Sequence, residues 1–193
     1  MAMDQELAAL MTEIDANLSH VESVTVGVTE TQFNWRSEPG RWSMGECIAH
    51  LNMVDGADLP IIRAAVEKAK SAGLTGEGPF EYGFIARKIL AMTEPPITRK
   101  FKAPRVYIPR AHADMAQTLA EFRRVSAEMR SLMRSANGLD LKRVKTSLPA
   151  APALVSAFLK FPLGARFALL VTHDRRHLWQ AEQVRNEPRF PTT

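Results

Sequence analysis

The sequence predicts an all-α fold: a four-helix bundle with a long crossover between the second and third long helices. Three observations predict it. Apolar residues recur at three- and four-residue steps in four separate stretches, the period of a helix face and not of a strand. Capping and stop residues bracket those stretches. A long Gly- and Pro-rich section separates the second from the third, as in a bundle with one long crossover.

The first stripe is Leu7, Leu10, Met11, Ile14, Leu18 and Val21, with His20 on the opposite, solvent-facing side. The second helix starts inside PGRWSMGECIAHL, residues 39–51. Ser43 and Glu46 form an S-x-x-E capping box, each side chain bonding the other residue's backbone N–H, and Trp42 is placed to staple onto Cys47. The helix runs through Leu51, Val54, Ile61, Ile62 and Ala65 to about Ala72, where Gly73 stops it. Pro60 lies inside and removes one backbone hydrogen bond, which should bend it.

Residues 73–112 form the crossover, with one short helix expected around FIARKILAM. The third long helix spans roughly 113–136, with Met115, Leu119, Phe122, Met129, Leu132 and Met133 inward and Asn137-Gly138 at its end. An interrupted stretch around PALVSAFLKFP precedes the fourth helix, which runs from about Gly164 to Asn186 before Pro188.

Composition narrows the class. The chain has 193 residues, 46% apolar and 24% charged, which suits one soluble domain over 1–193 with a full core. No apolar run reaches the ~20 residues of a membrane span, and acids stand near the start where a secretory leader carries lysines. A lone Cys47 excludes an intrachain disulfide and fits a reducing cytoplasm. A net charge of +4 is too weak, without a clustered basic groove, to argue for nucleic acid.

The chemistry lies in histidines. THDRRHLWQ sets His173 and His177 at i, i+4, one turn apart on the face that also carries Leu169, Leu170, Gln180, Ala181 and Val184. That face points inward, and two imidazoles there are costly unless something binds them. His50, at the flank of the second helix's apolar sector, is the third candidate. Three neutral imidazoles on a divalent ion leave a position open, as in reactive rather than structural sites. The alternative is a bundle that binds a ligand or partner helix without chemistry, its histidines merely hydrogen-bonded.

Taken together, PGRWSMGECIAHL, the long crossover and a last helix bearing HDRRHLWQ resemble the DinB-like (DinB/YfiT) superfamily over nearly the whole chain. The resemblance implies a four-helix bundle, commonly a homodimer, with a divalent metal on His50, His173 and His177. It also implies a small-molecule substrate. Some members are thiol S-transferases that use a low-molecular-weight thiol, so thiol transfer or hydrolysis of a small amide or ester is the implied activity. Three imidazoles suit Zn²⁺, Ni²⁺ and Fe²⁺ alike.

Other residues have two readings each. Glu46, one turn before His50, is a candidate general base or ligand-orienting group, although its capping role already explains it. Gln180 is placed to hydrogen-bond a ligand histidine. Cys47 reads as a small buried residue, and Asp58 calls for an arginine partner in the core. Asp174 should point away from the histidine face, while Arg176 borders it and reads first as a surface ion pair. ITRKFKAPRVYIPR carries Arg99, Lys100, Lys102, Arg105 and Arg110 with no acid, a basic segment that can lie over the open end of the bundle and attract an anion. His112 should sit near the surface.

Overall fold

The structure is a computed structural model that describes residues 2–96, 102–147 and 160–192. Its helices are α1 (Gln5–Thr25), α2 (Glu30–Phe33), α3 (Met44–Ser71), α4 (Phe84–Thr93), α5 (Met115–Ser135) and α6 (Leu163–Arg185), with a 3-10 turn at Arg105–Tyr107. Two strands, β1 (Lys145–Thr146) and β2 (Phe161–Pro162), pair antiparallel with Lys145 opposite Pro162. The four long helices sit where the apolar period places them. The short α2 and the β ribbon are additions.

Each helix starts for a local reason. Asp4 accepts from the N–H groups of Glu6 and Leu7 at the head of α1, and Asp114 from Gln117 at the head of α5. Ser43 and Glu46 close the capping box on α3, and Thr29 with Gln32 closes another on α2. Helix α3 continues through Pro60, whose ring lies on the exposed side, so the missing N–H deprives only the Gly56 carbonyl. Gly73 ends the helix in the left-handed region, at φ 62°.

The long helices form a ring in which α3 touches α5 and α6, and α1 touches the same two. One core cluster joins Leu7, Ile14, Ile62, Val66, Val125, Met133 and Phe167. A second, at the other end, joins Val21, Phe33, Met44, Cys47, Ile48, Leu51, Phe122 and Leu178. The crossover helix α4 lies on α6, where Ala86 meets Phe161 and Ala165. Helix α6 is therefore covered on three sides, by α1, α3 and α4. Among the described residues, no helix is long and apolar enough to cross a membrane.

Candidate metal centre

His50 comes from α3, about two turns past its Ser43 cap, and His173 and His177 come from adjacent turns of α6. The α3–α6 contact brings the three rings together. Their centroids are 5.2 Å apart for His50–His173, 4.7 Å for His50–His177 and 4.6 Å for His173–His177. One nitrogen from each ring lies within 4.8 Å of the other two, and among the described residues no Cys, Asp or Glu joins the cluster.

Hydrogen bonds fix two tautomers. His50 Nδ1 sits 2.7 Å from the Tyr107 carbonyl oxygen, which can only accept, so Nδ1 carries the proton and Nε2 the lone pair. His177 Nδ1 donates to Gln180 Oε1 at 3.1 Å, with the same consequence. His173 Nδ1 is buried with no hydrogen-bond partner among the described residues.

All three rings are held neutral. Burial lowers the pKa of His50, offset in part by the Tyr107 carbonyl. His173 is pushed down to about 3, by burial first and then by electrostatic interaction with His50, Arg176 and Arg166. His177 is pushed down to about 2, by burial and then by His173, His50 and Arg176. Metal ligands must be deprotonated, and these imidazoles already are at neutral pH. Clustered lone pairs, an orphaned buried nitrogen and no competing acid suit a divalent cation.

The neighbouring candidates divide. Gln180 lies beside the cluster, on His177. Glu46 is buried and its oxygens are taken: Oε2 accepts from Ser43 N at 2.8 Å and from Arg36 Nε at 2.8 Å, and Oε1 accepts from Arg36 Nη2. Cys47 is fully buried, and burial together with the Glu46 charge pushes its thiol far up, so no thiolate is on hand.

Asp58 has its core arginine. Arg166 Nε donates to Asp58 Oδ1 at 2.6 Å, and both side chains are inaccessible. Asp174 meets protein rather than solvent. It is buried and hydrogen-bonded to Asp55 of α3, and burial raises the pKa of both carboxyls. Arg176 is buried too, rather than at the surface, with Nη1 donating to the Met92 carbonyl of α4 at 3.1 Å. His20 lies half-buried, 3.6 Å from Glu182. Of the basic segment, Lys102, Arg105 and Arg110 are exposed, as is His112, whereas Arg99 and Lys100 lie outside the described residues. The segment does reach the cluster, through the Tyr107 backbone.

Sequence reasoning missed two neighbours. The Tyr107 contact uses a backbone carbonyl, which no side-chain pattern reveals. Trp42 is half-buried against the rings, its centroid 4.8 Å from His50 and 5.7 Å from His177. Its place just before the α3 cap was visible, but not that α6 would bring a second histidine beneath it.

Comparison with known proteins gives a match to the model of the DinB superfamily over residues 13–181. No curated protein and no solved structure matches the chain.

Proposed function

The chain belongs to the DinB superfamily, and on that premise we propose that it is a divalent-metal-dependent enzyme, a thiol S-transferase or a small-molecule hydrolase. His50, His173 and His177 would hold the ion, Zn²⁺, Ni²⁺ or Fe²⁺ by their donor type. The observation that carries the reading is the meeting of three neutral, inward imidazoles with no fourth protein ligand among the described residues. A structural site is closed by four protein ligands, and a reactive one keeps a position open. A bound divalent ion supplies a Lewis acid that lowers the pKa of water or a thiol, giving a nucleophile near neutral pH.

The protein's own groups prepare that chemistry. The Tyr107 carbonyl and Gln180 Oε1 hold the Nδ1 protons of His50 and His177, leaving both Nε2 atoms as donors. Arg36 and Ser43 hold Glu46, which fixes the start of α3 and so the depth of His50. We assign Glu46 this positioning role and Gln180 the orientation of His177. A homodimer and a low-molecular-weight thiol as co-substrate complete the proposal.

The test is turnover by protein purified without a histidine tag. It is assayed with several low-molecular-weight thiols against a reactive electrophile, and separately with small amides and esters, each with and without added Zn²⁺, Ni²⁺ or Fe²⁺. Metal-dependent turnover lost in His173→Ala supports the reading and identifies the branch. Absence of metal-dependent turnover in every arm rejects the enzyme in favour of a non-catalytic binding bundle.

A further inference from the structure

A histidine ring turns about a soft torsion, because χ2 between sp³ and sp² atoms has broad minima. Lone pairs converge on an ion only when something else fixes the ring planes. His50 has a strong restraint in the 2.7 Å contact to the Tyr107 carbonyl. His177 has a weaker one, the 3.1 Å bond to Gln180, a side chain of its own helix that can swing with it. His173 has none at Nδ1 among the described residues. The ligands also come from two helices, so their relative orientation depends on the α3–α6 contact.

Trp42 lies across that junction. It precedes the α3 cap, and its indole is tilted 49° to the His50 ring and 34° to the His177 ring at centroid distances of 4.8 Å and 5.7 Å. The indole therefore occupies the space beside both imidazoles. The residue that the helix-start pattern assigned to a staple on Cys47 is thus also a wall against one ligand from each helix.

We infer that Trp42 is a positioning residue of the metal centre, whose aromatic face locks His50 and His177 in the geometry that binds the ion. The inference rests on the metal reading above and adds a residue that touches no ion itself. Support for ligand rings from neighbouring groups is worth about 10–100-fold in metal affinity. An aromatic ring of smaller size should keep most of it, and an aliphatic side chain should not.

The experiment measures Co²⁺ affinity by competition with a chromophoric chelator for wild type, Trp42→Phe and Trp42→Leu. Thermal unfolding of the metal-free forms is recorded alongside. Trp42→Leu should bind about 10–100-fold more weakly and Trp42→Phe within about threefold of wild type. A merely structural role would lower the unfolding temperature and leave the affinity of the folded protein unchanged, and that outcome overturns the inference. If Trp42→Leu does not fold, indole emission decides. Cobalt loading should quench in wild type a component that Trp42→Phe lacks, and equal quenching in the two proteins overturns the inference. Wild type that takes up no Co²⁺ would instead defeat the metal reading itself.

Discussion

Asp58 and Arg166 join α3 to α6 behind the histidine cluster, with side chains only 1% and 5% accessible. Two charges so deep lose several kcal/mol of hydration each, offset in part because each faces the other. Burial still outweighs Arg166, leaving the Asp58 pKa raised. Asp58→Leu strands the Arg166 guanidinium, and Arg166→Met strands the carboxylate. Each should cost about 3–5 kcal/mol, a large share of the ~5–15 kcal/mol that holds a domain together. The double replacement removes both charges and puts two apolar side chains in contact. It should then be close to wild type, or up to about 4 kcal/mol more stable. The assay is urea unfolding of metal-free protein followed by helical circular dichroism at pH 7, with all four corners of the cycle measured. A double variant as unstable as the sum of the singles would refute the reasoning, as would singles that cost less than about 1 kcal/mol, the range of exposed pairs.

Other consequences are simpler to test. A Cβ on Gly164 would overlap the Tyr82 hydroxyl, lie 2.6 Å from Tyr82 Cζ and 3.1 Å from Leu141 Cβ, and Tyr82 is held by Glu6 at 2.6 Å. Gly164→Ala should therefore destabilise by about 1–3 kcal/mol in urea unfolding, and a change under about 0.5 kcal/mol would mean the phenol moves aside freely. The pH dependence has a definite sign. His173 at about 3 and His177 at about 2 stay neutral in the folded chain, while in the unfolded chain they take up protons near their ordinary 6.5. Their contribution is intact above pH 6.5 and lost as pH falls toward the folded values, at about 1.4 kcal/mol per pH unit for each ring. His177→Gln should lower that acid-side slope of the metal-free protein by one proton, and an unchanged slope would show that His177 is not held neutral.

How much of this was legible in the sequence follows from what each feature depends on. The long helices were, because Leu7 to Val21 or Phe122 to Met133 bury one stripe each, and burial imposes the 3.6-residue period. The four residues of α2 are too few to show a period, although the T-x-x-Q of Thr29 and Gln32 signals its cap. The two-residue strands exist only because tertiary packing sets Lys145 opposite Pro162. At the site, His173 and His177 were legible as a pair because one helix fixes their spacing. His50 joined them through the fold and not through local sequence. Arg176 was misplaced at the surface because a helical wheel gives an angle, and only the neighbours say whether that angle faces water. With α1, α3 and α4 around it, α6 leaves little surface to solvent. Trp42 and the Tyr107 carbonyl were illegible because their contacts cross between segments that no local pattern links.

The most direct test of the central claim is the metal itself, measured as element content per chain and as X-ray absorption of the loaded protein purified without a histidine tag. The account predicts close to one divalent ion per chain, an absorption spectrum with imidazole nitrogen ligands, and loss of the ion in His50→Ala, His173→Ala and His177→Ala alike. Less than about a tenth of an ion per chain after incubation with Zn²⁺, Ni²⁺ or Fe²⁺, or uptake indifferent to those three substitutions, would contradict it.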